Sequence, residues 1–192
     1  MKYKIVGKPA PWNKNLRRIK AMRDIPSLMI RKGDLGGWVR NYFSLDQEGD
    51  CWVDNDARIE GWDARVRGNA YITDNAVVMD CAHVEGDAIV AEHAVVGGHA
   101  IVSGRAKILR NARVLDQAKV LGNAIVDDDA AVCGERVRVG GEAFIAENAV
   151  VSGRAKVCGR CLVRGNSWVC KDAVVCAKEW VDARLGGRKS YG

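Results

Sequence analysis

Between residues 63 and 134 the chain consists of twelve six-residue units laid end to end, from DARVRG, NAYITD and NAVVMD through to NAIVDD and DAAVCG, with no residue inserted or lost. The rhythm slips by one residue at Trp62 and again at Glu135. Two units, DCWVDN and DARIEG, precede the first slip, and eight follow the second, ending near Ala183. Across these twenty-two units the fourth position is always Val or Ile, and the second is Ala in seventeen. A fixed short period of this kind governs the whole fold. An amphipathic helix needs apolar residues at a spacing of about 3.6, which Ala–x–Val recurring every six does not supply. Alternate side chains of an extended segment share one side, so positions two and four point the same way. Positions five, six and one of the next unit must then turn the chain. Each unit is a short strand plus a corner, and only stacked coils can bury its single Val.

The number of units per coil shows in the sixth position. Every third unit gives Gly68, Gly86, Gly104, Gly122, Gly141 and Gly159, an unbroken column. The next column reads Asp74, Glu92, Arg110, Asp128 and Glu147, and the third, Gly61, Asp80, Gly98, Asp116, Gly134 and Gly153, is mixed. Glycine is favoured where a corner needs positive φ, with Asn or Asp next. Three unlike columns imply three edges, hence eighteen residues per coil and a triangular prism. With parallel strands about 4.8 Å apart, some seven coils make a prism on the order of 35 Å long.

Units such as NAVVSG and the run GNAIV resemble the hexapeptide-repeat family, the trimeric LpxA-like superfamily. That resemblance implies a single-stranded left-handed parallel β-helix; the handedness comes from the resemblance alone, since general crossover rules favour the other hand. The segment LRRIKAMRDIPSLMIRKGDLGGWV, followed by GDCWVDN, is similar to the YdcK-like group associated with prophages, over residues 16–181. The expected fold class is therefore all-β, a left-handed parallel β-helix of about seven triangular coils with a small N-terminal β cap. Residues 1–49 form a basic cap leading into the first coil, 50–183 the β-helix, and 184–192 a basic tail expected to be disordered. The cap covers the open strand edges at the end of the coil. Trp38, Trp52 and Trp62 at one end, with Trp168 and Trp180 at the other, are expected to seal the apolar channel.

The length of 192 residues suits one domain with a real core. No apolar run follows the basic start, and no stretch is long enough to span a bilayer, so no membrane partner is expected. Seven cysteines are too sparse for a disulfide scaffold, which points to a reduced cytoplasm, bacterial or phage-infected. Charge is unevenly placed: residues 1–40 hold eleven of the thirty basic residues but only two of the twenty-four acidic ones. A basic arm of this kind suits either a solubilising cap or an anionic partner.

Third-position side chains face outward and sort by wall. The first face carries Arg65, His83, Ile101, Lys119, Arg138 and Lys156; the third carries Arg58, Val77, Val95, Arg113, Ala131, Val150 and Trp168. The second carries Trp52, Tyr71, Ile89, Lys107, Ile125, Phe144, Leu162 and Trp180, apolar except at Lys107. So long an apolar strip is larger than monomers usually leave exposed, which marks these seven apolar residues as an interface, most simply of a homo-oligomer. Enzymes of the resembled family are typically trimers. The acidic corner column beside this face would crowd like charges at a threefold axis, so a dimer is the other expectation. Arg65, Lys119, Arg138 and Lys156 on the first face, with Arg17, Arg18, Lys20 and Arg23 in the cap, are the candidates for an anionic partner.

Acyltransferases of the resembled family use a histidine as general base between neighbouring prisms. His83, outward on the first face with Glu85 two residues on, is the one catalytic candidate; His93 and His99 occupy ordinary corners. The long loop that shapes the acceptor site in those enzymes has no counterpart through residue 134. Carbonic anhydrases of this fold share three zinc-binding histidines across subunits. His93 and His99 lie at successive corners and do not converge, so no metal site is expected. Cys158 faces out and Cys161 in, so their C-x-x-C spacing is not a metal or redox pair; Cys158 and Cys176 are rung neighbours, expected as free thiols. The favoured function is a non-catalytic binding or scaffold protein of phage or prophage type, without cofactor, whose partner is a host protein or a nucleic-acid complex. The alternative is a trimeric acyltransferase using an acyl-CoA-type donor.

Overall fold

Each six-residue unit yields a strand of two or three residues centred on its third and fourth positions, such as Tyr71–Ile72, Ile89–Val90 and Ile125–Val126. The β-branched fourth residue suits the extended backbone and points into the coil. The computed structural model describes residues 1–176, 180–181, 184–186 and 190–191, of the last two stretches the backbone alone. These strands stack as three parallel sheets, one per wall. Tyr71 pairs with Ile89 and Ile89 with Lys107 on the second face, Arg65 with His83 and His83 with Ile101 on the first. The sorting of outward residues into walls therefore stands, and so does the eighteen-residue coil.

The chain is an all-β parallel solenoid of about eight such turns with an N-terminal β element, one turn more than the repeat count suggests. The reason lies at both ends. In the N-terminal element β1 (Tyr3–Val6) pairs antiparallel with β2 (Arg17–Ala21), and β2 antiparallel with β3 (Leu35–Val39). β3 then joins Arg58–Ile59 in parallel, so it serves as a rung of the third wall. Leu45 bridges to Val66 on the first wall. At the other end, Arg184–Gly186 and Ser190–Tyr191, within the stretch expected to be a disordered tail, pair in parallel with Trp168–Cys170 and Val174–Val175. An exposed rung offers unpaired N–H and C=O groups, and another segment of chain satisfies them even without the repeat signature.

The core is a column of paired residues. Ala70, Ala88, Ala106 and Ala124 lie fully buried beside Ile72, Val90, Ile108 and Val126. The channel is plugged at the N-terminal end by Tyr3, Ile19, Ile25, Leu45 and Trp52. Gly36 and Gly37 allow this plug to sit down: a Cβ on Gly36 would lie 2.7 Å from the Trp52 ring, and one on Gly37 2.4 Å from the Ala57 carbonyl oxygen. Lys2 is buried as well, its Nζ donating to the Glu48 carbonyl and meeting Cys51 Sγ, each at 3.0 Å. Of the tryptophans expected to seal the channel, only Trp52 does so. Trp38 packs beside the coil with Ala10 and Leu16, while Trp62, Trp168 and Trp180 are exposed.

Positive φ occurs in all three corner columns, Gly61 excepted, which corrects the inference from glycine content: Gly86 and Gly104 lie at 75°, but Asp74 at 60°, Glu92 at 61° and Asp80 at 55°. Successive corners approach closely in the all-glycine column. A Cβ on Gly104 would lie 2.9 Å from both N and O of Gly122. In the other columns the side chain runs along the prism and accepts from the next corner, Asp74 from the Glu92 N–H at 3.1 Å and Asp80 from the Gly98 N–H at 2.8 Å. The two inserted residues, Trp62 and Glu135, both fall on the edge between the third and first walls, directly after Gly61 and Gly134. There the inter-coil bonds lengthen, Asp63 N to Asp80 O at 3.4 Å and Arg136 N to Gly153 O at 3.5 Å.

Gly104→Ala meets both positive φ and a backbone clash and is expected to cost roughly 1–3 kcal/mol. Gly140→Ala, where the nearest atom to an added Cβ is 3.8 Å away, is expected to be close to neutral. Chemical denaturation of the two variants checks the difference.

Candidate functional site

The second wall presents its outward ladder in unbroken register from Trp52 to Trp180. Trp52 drops out of it: the indole lies wholly beneath the N-terminal element, with no hydrogen-bond partner for its Nε1 among the described residues. Tyr71, Ile89, Ile125, Phe144 and Leu162 are half-buried by their rung neighbours, Lys107 is exposed, and Trp180 stands 71 % exposed with the Arg164 guanidinium 5.0 Å from its ring. Tyr71 donates to Asp54 at 2.8 Å, and burial together with that carboxylate pushes its hydroxyl up to about 12. Fifth-position residues widen the strip, with Ala91 and Ala146 buried beside the ladder and Leu109 half-buried. The acidic corner beside it is tied to the protein's own groups: Arg110 reaches Asp127 and Asp128, and Glu147 accepts from the Gly165 N–H at 2.8 Å.

The basic candidates divide into two groups. Arg18 donates to the Gly36 and Asn55 carbonyls, pairs with Asp56 at 2.7 Å and lies 4.6 Å over Trp38, so it straps the N-terminal element to the coil. Arg23 holds the Gly49 carbonyl and Asp50, and Arg65 pairs with Asp63 at 2.7 Å. The Ser27 hydroxyl and Arg23 keep the Asp50 carboxyl below its usual range, and Arg65 does the same for Asp63. Arg17 is exposed and Lys20 half-buried on β2. Lys119, Arg138 and Lys156 stack on three successive rungs of the first wall and make no ion pair among the described residues. Beside them the Glu135 insertion opens a groove of about 570 Å³, lined by His99, Gln117, Lys119, Glu135, Arg136 and Arg138. Sequence reasoning missed Arg136 and His99 there, because a one-residue slip reads as a corner irregularity. A smaller groove of about 390 Å³ lies at the Trp62 insertion, where Arg40 stacks 3.9 Å from the indole.

His83 stands half-buried between Arg65 and Ile101, and makes no side-chain hydrogen bond among the described residues. Glu85 is exposed. His93 and His99 are exposed corner residues, and no group of three or more His, Cys, Asp or Glu is placed to hold a metal among the described residues. No helix there is long and apolar enough to cross a membrane. Cys161 is buried and Cys158 faces outward, as the repeat implies. The expectation of free thiols at Cys158 and Cys176 is corrected: they form a disulfide, their Cα atoms 4.6 Å apart on adjacent rungs of the first wall. Equivalent positions one coil apart fall within disulfide reach, so the coil geometry that separates Cys158 from Cys161 brings Cys158 to Cys176.

The chain matches no protein-family model and no curated protein. Its coil geometry is consistent with the hexapeptide-repeat superfamily.

The disulfide closes a loop of one coil. The double change Cys158→Ser/Cys176→Ser is expected to lower stability by roughly 3 kcal/mol under oxidising conditions and to have no such effect in reductant. Peptide mapping without reduction should return the two cysteines in one linked pair.

Proposed function

We propose that the chain is a non-catalytic binding or scaffold protein, a left-handed hexapeptide-repeat prism whose second face docks protein, in the first instance another copy of itself. The observation that carries this reading is the apolar ladder Tyr71, Ile89, Ile125, Phe144, Leu162 and Trp180, in register on one flat wall. Seven rungs at about 4.8 Å give a strip roughly 29 Å long, flanked by the buried methyls of Ala91 and Ala146. Buried against a second prism, such a strip is removed from water along its length, the usual driving force for association. Lys107 at its middle fixes register, since its charge needs either solvent or a carboxylate opposite.

A dimer through this wall fits the corner chemistry, because Asp74, Asp128 and Glu147 alongside it already accept from Arg110 or from backbone N–H groups. A host protein is the alternative occupant, in the setting of phage or prophage and cytoplasm implied by the similarity of residues 16–181 to the YdcK-like group. Light scattering on the purified protein is expected to return a dimer or trimer. Ile125→Asp/Phe144→Asp, on adjacent rungs, should shift it to monomer with the coil's circular dichroism unchanged. A parent protein that is monomeric at high micromolar concentration overturns the reading.

A further inference from the structure

The first wall carries a different signal. Arg65 on this wall pairs with Asp63, and at its edges Arg105 lies 3.9 Å from Asp87 and Arg154 pairs with Asp172. Lys119, Arg138 and Lys156 form a ladder of a different kind. They sit directly opposite one another on consecutive rungs, Lys119 against Arg138 and Arg138 against Lys156, and none has an ion-pair partner among the described residues. Like charges at directly paired positions repel and destabilise the sheet. Neighbouring apolar rungs such as Ile101 show that the fold does not require charge here.

This ladder borders the groove opened by Glu135. The exposed Arg136, next to the inserted residue, lines it together with Lys119 and Arg138, and with the exposed His99 imidazole and Gln117 amide on the coils before. Glu135 is the single carboxylate in the lining. The result is a concave site lined by three cations and one carboxylate, with the His99 and Gln117 side chains beside them.

We propose that this groove binds an anion carrying two or more phosphates, held by Lys119, Arg136 and Arg138 and extended along the wall toward Lys156. Guanidinium groups suit bidentate contact with phosphate oxygens, and Lys119 adds a point charge between them. From Lys119 to Lys156 the ladder spans two rung spacings, about 10 Å, which accommodates linked phosphates better than a single one. The ligand neutralises the repulsion built into the rungs. Both a small polyphosphate compound and the phosphodiester backbone of a nucleic-acid strand supply this chemistry. The site lies on a different wall from the interface proposed above, so either can fail without the other.

The test uses the full chain with two probes, sodium tripolyphosphate by calorimetry and a fluorescein-labelled twelve-nucleotide oligo-dT by anisotropy. Tripolyphosphate is expected to bind, and orthophosphate more weakly. Lys119→Gln/Arg138→Gln should weaken tripolyphosphate at least tenfold. Lys8→Gln/Arg113→Gln, which removes the same charge elsewhere, should change it less than twofold. Arg136→Gln, at an exposed corner, gives a second weakened variant that does not touch the rungs. If oligo-dT binds in competition with tripolyphosphate, the phosphates are those of a strand. Three neutralised phosphates then predict about a twentyfold loss of affinity between about 50 and 200 mM salt. If tripolyphosphate alone binds, the ligand is a small phosphate compound. Thermal melting should show Lys119→Gln/Arg138→Gln at or above the parent, because the like-charge stack is relieved. Failure of both probes to bind at low salt, equal weakening in the two double variants, or a lower melting temperature for Lys119→Gln/Arg138→Gln overturns the proposal.

Discussion

Everything in this molecule depends on backbone hydrogen bonds between equivalent positions of successive coils. Tyr71 N donates to Ala88 O, Ile89 N to Ala106 O and Lys107 N to Ala124 O, each at 2.9 Å. A strand of two residues is far too short to persist alone, and within the coils every rung pairs in parallel with rungs one coil away. The ladder forms because the side chains at positions two and four leave a channel of constant width, filled by one methyl and one branched aliphatic per unit. Uniform filling keeps all coils the same size, and equal coils keep every N–H opposite a C=O. Stability in such a stack accumulates from neighbour to neighbour, as in other solenoids.

Surplus residues are accepted only where the chain already turns. Trp62 and Glu135 both leave the prism at one edge, and the coil closes again within a few residues at the cost of a stretched inter-coil bond. Each protrusion makes a concavity on an otherwise flat-sided object. A prism offers broad walls for partners but few recesses for small molecules. Both interruptions of the repeat carry a recess, in one case with stacked arginine and indole, in the other with a cluster of cations.

The interior was legible in the sequence almost residue by residue, because the alternation of Ala and Val has one geometric solution. Wall assignment followed from the same period. Trp52 was misread as an interface residue because its repeat position makes it an outward one, while burial depends on a segment, β3 with Gly36 and Gly37, that carries no repeat. The terminal rungs escaped for the same reason: Arg184–Gly186 pairs through backbone groups and needs no Ala or Val. Among the charged candidates, Arg18 and Arg23 looked like a basic arm but are struts, since counting charge along a chain does not reveal which carboxylates or carbonyls fold back onto it. Lys119, Arg138 and Lys156 were visible as a column; that they lack ion-pair partners among the described residues required the positions of their neighbours.

The central claim is that one coil of eighteen residues is the unit of the fold, interchangeable along the axis. Excision of residues 87–104 tests it most directly, compared with excision of 87–105. The shorter excision should leave a protein with the parent's circular dichroism and a single cooperative melt, because Gly86 then meets Arg105 with every wall and corner column in step. The longer one removes a corner residue and should abolish that cooperative transition. Equal tolerance of both excisions, or unfolding by the first, would contradict the account.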